Sequence, residues 1–475
     1  MYDIAVIGAG VCGASIAREL SRYDLKIIIL DREKDVSCGA SKANSAIIHA
    51  GYDPGEETLM ARLNAAANPM FDRICSELDV PFRRNGSLVV AFNDEEMNRI
   101  RQLYKRGINN RIPGLRIISK TELLEKEPAV NPEAIGALFS GTAGIIDPML
   151  LTISLTENAL SNGCDIRLDF NVQSIEKAEN RFIISSSSES VEAGYVVNAA
   201  GVYADRIHNM AAEPCFKIKP RRGQYYVLDK NDGSIVHSVI FPCPSKMGKG
   251  TLVTPTVHGN LLLGPSSDDL SDPDDLSTTE ELLEEAGSGA KKLIPEITVR
   301  NSIRTFAGIR AQPDTGDFII KEADDAPGFI DAAGIKSPGL TAAPAIALMV
   351  IDMLDKKGAL RKKKSDFNPY VKRRLFHELN PDEQQELIGK NPLYGRVICR
   401  CENITEGDIT DAVRRPAGAV TLDGVKRRCR PGMGRCQGGF CGPRVQEILA
   451  RELNLPLEEV VLEKSGSYIL TGKTK

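Results

Sequence analysis

Near its start the chain reads DIAVIGAGVCGASIAREL, and no other stretch constrains the fold as tightly. A short apolar run at 3–7 leads into Gly8, Gly10 and Gly13, then into a helical segment from Ala14 to Leu20. A second apolar run, KIIIL at 26–30, ends at Asp31. Strand, glycine turn, helix, strand and acid in this register open an α/β domain that holds a dinucleotide. The first glycine permits the tight turn, the second lets backbone approach a pyrophosphate, and the third packs helix on strand. The helix N-terminus brings free N–H groups and the positive end of its dipole to the phosphates. Asp31 stands where an acid takes ribose hydroxyls.

At the other end, five cysteines fall in the last 77 residues, and four have an unusual order. Cys399 and Cys401 form C-x-C; Cys436 and Cys441 form C-x4-C inside GMGRCQGGFCGP. Four thiolates can hold a [2Fe–2S] cluster. Zinc is the rival ligand, but structural zinc sites favour C-x2–4-C knuckles, which this order fits less well. A nucleotide at one end and a cluster at the other imply electron transfer. Hydride delivers two electrons and a [2Fe–2S] centre carries one, so the electrons are expected to leave singly, toward a protein partner. An oxidase would need no such exit.

At 475 residues, two or three domains are expected. A net charge of −4 argues against nucleic acid as the main partner. No apolar stretch reaches the ~18–20 residues of a membrane span. The N-terminus enters a strand without a basic leader, which reads as cytoplasmic, or peripheral to a membrane through a partner. Cys12, Cys75, Cys164 and Cys215 are scattered singly and read as packed thiols. The basic residues Lys356, Lys357 and Arg361–Lys364 read as a solvated helix end or linker. The acidic stretch 268–287 has calcium-like composition but no EF-hand spacing, and Ser277-x-x-Glu280 reads as a capping box opening a helix. No second GxGxxG follows the first, so the bound nucleotide is expected to be FAD, reduced by a substrate rather than by NADH. Cys38 stands near the dithiol position of disulfide reductases, but residue 43 is alanine, so that chemistry is absent.

Several stretches together resemble the D-amino-acid-oxidase-like superfamily, nearest to its glycerol-3-phosphate and L-2-hydroxyglutarate dehydrogenase branches. SCGASKANSAIIHAGYDPG (37–55) is similar to the family's FAD loop. VVNAAGVYAD (196–205) resembles the strand and loop over the adenosine half. FAGIRAQPDTGDFII (306–320) carries a Gly-Ile-Arg like the family's substrate arginine, and GIKSPGLTAAPAIA (334–347) resembles the last flavin loop and its helix. The C-terminal cysteine segment resembles the bacterioferritin-associated-ferredoxin-like [2Fe–2S] domain appended to anaerobic glycerol-3-phosphate dehydrogenases.

The resemblance implies an FAD-binding Rossmann-like domain (1–80, 145–213, 306–355) interleaved with an antiparallel-sheet substrate domain (81–144, 214–305). A linker (356–395), the cluster domain (396–455) and a tail (456–475) follow. PFRRNGSLVVAF is expected as a strand pair. Gly8, Gly10, Gly13, Asp31, Arg32, Ser41, Asn44, Val172, Gly201, Gly308, Gly339, Leu340 and Thr341 are implied to hold FAD. The backbone N–H groups of 339–341 are expected at the flavin C2 carbonyl. Cys399, Cys401, Cys436 and Cys441 are implied to hold the cluster, with Cys429 a non-ligand thiol.

Three residues are expected to act on substrate. Arg310 can bind a carboxylate or phosphate as a fork. His49 is the candidate base or flavin contact. Tyr225, in GQYYVLD, is a pocket hydroxyl or a strand packing residue. It stands near a histidine of membrane glycerol-3-phosphate dehydrogenases, whereas the hydroxyglutarate branch carries Tyr. The leading expectation is oxidation of a small anionic alcohol, sn-glycerol 3-phosphate to dihydroxyacetone phosphate, with a second flavoprotein as the type of acceptor. L-2-hydroxyglutarate is the alternative, amines come third, and an FAD and iron–sulfur electron-transfer subunit without its own substrate is the reading of another class.

Overall fold

The computed structural model describes residues 1–244 and 250–472. Strand Tyr2–Ile7 lies inside an eight-stranded sheet, parallel to Ile27–Leu30 on one side and to Ser190–Asn198 on the other. Cys164–Arg167 extends the sheet beyond Ile27–Leu30, and Phe329–Ala333 runs parallel to Ser190–Asn198. All four residues of Ile27–Leu30 are buried, as expected of parallel strands covered on both faces. Helices Val11–Leu20, Pro148–Ser161 and Gly339–Lys356 cover one face and close the largest apolar core.

The second sheet has nine strands. Its spine is Ile218–Leu228, paired antiparallel along its length with Ser302–Pro313, so that Tyr225 faces Phe306, Gly223 faces Gly308 and Arg221 faces Arg310. The sheet is antiparallel except where Val239–Pro242 runs parallel to Ser87–Ala91. Phe82–Arg83 and Ser87–Ala91 do not pair with each other, contrary to the sequence expectation. Gly86, at φ +74°, turns the chain between sheets. Phe82–Arg83 joins Gly144–Ile146 and Ile47–Ile48 in a small sheet, and Ser87–Ala91 enters the large one.

The helix after the acidic stretch, Glu280–Leu293, begins at Thr279 rather than at a Ser277 capping box. Gln224 Oε1 accepts the Thr279 N–H at 2.8 Å, and Ser277 Oγ is taken by Arg222 at 2.8 Å. The carboxylates of the stretch pair with arginines: Asp268 and Asp275 with Arg222, Asp269 with Arg221, Asp274 with Arg32.

Residues 364–371 lie along the nucleotide-binding half. Lys364 N–H donates to Arg22 O, Asn368 N–H to Asn162 Oδ1, and Val371 N–H to Glu77 O, each at 2.8–2.9 Å. The C-terminal domain folds helices Glu406–Arg414, Leu422–Cys429 and Gly442–Leu453 around its own core of Ile404, Ile409, Val425 and Leu449. The segment after 455 is packed as well: Leu422 and Asp423 N–H groups donate to Val461 O and Leu462 O. No helix among the described residues is long and apolar enough to cross a membrane.

Candidate functional site

The glycine turn is closed by contacts that only glycine allows. A Cβ on Gly13 would lie 1.9 Å from Gly8 O, and one on Gly8, at φ +109°, would lie 2.4 Å from Ala199 O. Asp31 spans the turn from the end of its strand, accepting Ala9 N–H at 2.6 Å and Glu33 N–H at 2.9 Å. Burial pushes its carboxyl up to about 6 against these two hydrogen bonds. Ser41 Oγ accepts the Val11 N–H at 2.9 Å, which brings the loop after Cys38 onto the helix N-terminus. Arg32 lies 4.0 Å over the Tyr203 ring, just after Gly201 at φ +60°, and Val172 lines the same end of the cleft.

The cleft runs from this turn to the start of helix Gly339–Lys356 and encloses about 1270 Å³. That exceeds the ~300–1,000 Å³ usual for one small ligand and leaves room for a dinucleotide and a substrate together. Asn44 lines it, but its amide is engaged within the loop, donating to Ala40 O and Ser41 O and accepting Ala46 N–H. These bonds shape the loop that carries Asn44 along the cleft. Gly308 lies directly beneath that loop, where a Cβ would sit 2.0 Å from Ala43 O.

At the far end, the backbone of His49 is clamped on both sides. Its N–H donates to Thr341 Oγ1 at 2.9 Å, and its carbonyl accepts from Asn64 and Asn68 at 3.1 and 3.0 Å. The ring lines the cleft with Nε2 3.4 Å from Ser337 Oγ. Thr341 thus contributes its hydroxyl to positioning His49, while Gly339 and Leu340 line the cleft at the open end of an 18-residue helix.

Tyr225 is buried, its hydroxyl 3.1 Å from Ser45 Oγ, and burial raises its pKa. Arg310 donates through Nη2 to Arg222 O (2.9 Å) and Ser266 O (3.0 Å) and through Nε to Arg221 O (3.5 Å). No carboxylate among the described residues forms an ion pair with it, and burial lowers its pKa. Gly223, on the neighbouring strand, makes the room: a Cβ there would lie 3.0 Å from Arg310 Nη2.

In the C-terminal domain the four cysteine sulfurs form two pairs. Cys401 Sγ lies 3.6 Å from Cys436 Sγ, and Cys399 contacts Cys441. Cys399 and Cys441 are buried, Cys401 is exposed and Cys436 partly so. No three Cys, His, Asp or Glu side chains among the described residues gather closely enough for a single metal ion. Two thiolates for each of two irons suits a [2Fe–2S] cluster better than zinc. Cys429 is separate and buried, its thiol donating to Val425 O at 3.5 Å within its own helix.

Sequence reasoning missed Ser45, Asn64 and Asn68, and it read Gly223 only as part of the strand passing the flavin face, not as the residue that makes room for Arg310. Asn64 and Asn68 offered a signal: two amides four residues apart on one face of a helical stretch, both buried. Ser45 and Gly223 offered none, because their roles arise only from tertiary contacts.

Comparison with known proteins defines the class. Residues 3–353 match the model of the FAD-dependent oxidoreductase (DAO) family, and residues 397–451 match the BFD-like [2Fe–2S] binding domain. The chain belongs to this family: it is an FAD-dependent oxidoreductase with a C-terminal [2Fe–2S] domain. It is 53% identical to a glycerol 3-phosphate dehydrogenase of Caloramator mitchellensis, covering 100% of this chain and 99% of that protein. It is 34% identical to a glycerol 3-phosphate oxidase of Mycoplasma genitalium, covering 77% of this chain and 97% of that protein. The structure of dithionite-reduced L-α-glycerophosphate oxidase from Mycoplasma pneumoniae with FAD bound superposes with a TM-score of 0.75 at 33% identity, over 78% of this chain and 99% of that one.

Proposed function

We propose that the enzyme oxidises sn-glycerol 3-phosphate to dihydroxyacetone phosphate and passes the electrons through its cluster to a partner protein. The observation that carries the substrate class is Arg310. Arg310 is largely buried and, among the described residues, is hydrogen-bonded to backbone carbonyls and forms no ion pair, so an anionic substrate would supply its close counter-ion. The relatives named for glycerol 3-phosphate favour phosphate over carboxylate.

FAD, when bound, supplies hydride acceptance. The chain's own residues do the rest. Arg221, Arg222 and Ser266 carbonyls fix the plane of the Arg310 fork, so that its remaining donors meet the substrate anion. His49, whose backbone is clamped at both its N–H and its carbonyl, is the proposed acceptor of the hydroxyl proton. Tyr225, whose ionisation burial disfavours, stays a neutral hydroxyl beside Ser45 and helps exclude water. Gly8, Gly10, Gly13, Asp31, Arg32, Ser41, Val172 and Gly201 form the nucleotide end. Gly308, Gly339, Leu340 and Thr341 form the flavin end.

The [2Fe–2S] cluster supplies one-electron steps, held by Cys399, Cys401, Cys436 and Cys441. An acceptor protein would dock on the side where Cys401 is exposed. The parts fall into an FAD domain, an interleaved substrate domain and a cluster domain joined by residues 356–395.

The test is anaerobic titration of the cluster-loaded protein with glycerol 3-phosphate and, separately, L-2-hydroxyglutarate, following the flavin absorbance. Bleaching by the phosphate alone supports this reading. Bleaching by the hydroxy acid alone moves the chain to the branch that Tyr225 resembles, and bleaching by neither rejects both.

A further inference from the structure

We infer that FAD binding and docking of the cluster domain are one linked equilibrium, joined at Asp35. The segment from Asp35 to Lys42 belongs to both sites at once. On one side it is fastened to the glycine turn: Ser37 N–H donates to Ala9 O at 3.1 Å, and Ser41 Oγ accepts the Val11 N–H at 2.9 Å. On the other it is gripped by the cluster domain. Arg428 forks onto both Asp35 oxygens at 2.7 Å, and Arg427 Nη2 reaches Asp35 Oδ2 at 2.9 Å and Cys38 Sγ at 3.5 Å. The side chains of Asp35, Arg427 and Arg428 are 1%, 3% and 2% exposed, so this triad is desolvated and each member depends on the others. Lys42 pairs with Glu463, which also binds Arg427 at 2.6 Å, so the segment after 455 closes the same junction.

The two arginines end the helix Leu422–Cys429 that leads into the loop carrying Cys436. That loop makes its own contacts with the substrate-side sheet. Arg435 binds both oxygens of Asp229 at 2.8 and 3.0 Å, and Gln437 Oε1 accepts from Arg304 at 3.2 Å. Arg415 adds a two-pronged bond to buried Glu157 at 2.6 Å. Arg415, Arg427, Arg428 and Arg435 of the cluster domain thus bind carboxylates of the rest of the chain, and the domain is seated rather than tethered. Because the pyrophosphate loop and the Asp35 anchor share one short segment, a ligand that orders the first favours the second, and linkage makes the effect mutual. Asp35 and Arg428 are positioning residues, touching neither substrate nor the reacting atoms.

The experiment uses the full-length, cluster-loaded protein with and without FAD. Backbone hydrogen exchange is measured over Leu422–Cys429, and the FAD dissociation constant by flavin fluorescence. FAD is expected to slow exchange in that helix. Arg428→Met is expected to weaken FAD binding about fivefold or more, the lower end of common coupling between sites. Arg414→Met, which breaks only the pair with Glu452 inside the cluster domain, is expected to leave FAD affinity unchanged. If Arg428→Met does not fold, Glu463→Gln loosens the same junction without orphaning Asp35 and is expected to shift affinity in the same direction. Unchanged exchange in the wild type on adding FAD overturns the inference. So does FAD affinity within twofold of wild type in the folded variant.

Discussion

Tyr225 and Phe306 face each other across neighbouring strands with their rings stacked, centroids 4.6 Å apart and planes 6° from parallel. The pair connects the two halves of the proposed chemistry. The Tyr225 hydroxyl reaches Ser45 in the loop beside the flavin end of the cleft. Two residues before Phe306, Arg304 holds Gln437, the neighbour of Cys436. One antiparallel strand pair therefore carries the proposed substrate pocket at its middle and the cluster loop at its end.

Arg310→Ala is expected to lower kcat/KM by about 2–5 kcal/mol, the cost of truncating one partner of a buried charge pair. Arg310→Lys recovers only part of this, because a point charge cannot replace the planar fork. Steady-state kinetics with glycerol 3-phosphate and an artificial acceptor check it, and a loss under about threefold removes Arg310 from the site.

His49→Gln is expected to reduce kcat by ~10²–10⁴-fold, the usual contribution of a positioned base. The low-pH limb of the kcat/KM profile should vanish with it. Full activity and an unchanged profile would leave His49 as a packing residue.

Gly13→Ala should weaken FAD binding by tenfold or more. Tenfold is only ~1.4 kcal/mol, and a Cβ 1.9 Å from Gly8 O must push the turn open. Gly308→Ala should act in the same direction from the other side, by displacing Ala43. The ratio of flavin to protein absorbance after purification reads both.

Asp35 gives a pH signature. Burial alone would raise its pKa, but Arg428 and Arg427 outweigh this and hold the carboxyl below the ordinary range. A depressed carboxyl stabilises the fold above its unfolded pKa of ~3.9, and that contribution is lost as pH falls through the folded value. Asp35→Asn should cost about 3–5 kcal/mol at neutral pH by leaving the buried Arg428 guanidinium without its carboxylate and Arg427 with Glu463 alone. The gap in urea midpoint between wild type and variant should narrow below about pH 4. A gap that stays constant with pH would show that the carboxylate charge is not what matters.

Cys429→Ala should retain the full iron content of a two-iron cluster, whereas Cys436→Ser should lose most of it. Iron and acid-labile sulfide analysis of anaerobically purified protein separates the two. Zinc in place of iron would overturn the cluster assignment.

What was legible in the sequence was local. The glycine turn, the acid at Asp31 and the four cysteines each need only neighbours along the chain, so spacing alone revealed them. Arg310 was visible through its Gly-Ile-Arg setting, but the space that Gly223 makes for its guanidinium was not, because the two glycine-bearing strands meet 85 residues apart in the chain. Asn44 resembled a cofactor contact by position, but the hydrogen bonds its amide makes inside its own loop were not visible in the sequence. The Asp35 junction left no trace in periodicity or motif: an acid near residue 35 and two arginines near 427 look like ordinary surface charges until the fold buries them together.

The placement of strand Tyr2–Ile7 has a consequence for biogenesis. One neighbour, Ile27–Leu30, is made soon after it, but the other, Ser190–Asn198, emerges only some 180 residues later. At ~5–20 residues per second of synthesis, an apolar strand edge waits roughly ten to forty seconds on the ribosome. The cofactor cleft waits longer still, since helix Gly339–Lys356 forms its far wall. Flavin loading therefore belongs after translation of most of the chain, and until then the nascent N-terminal half carries an unpaired apolar strand edge.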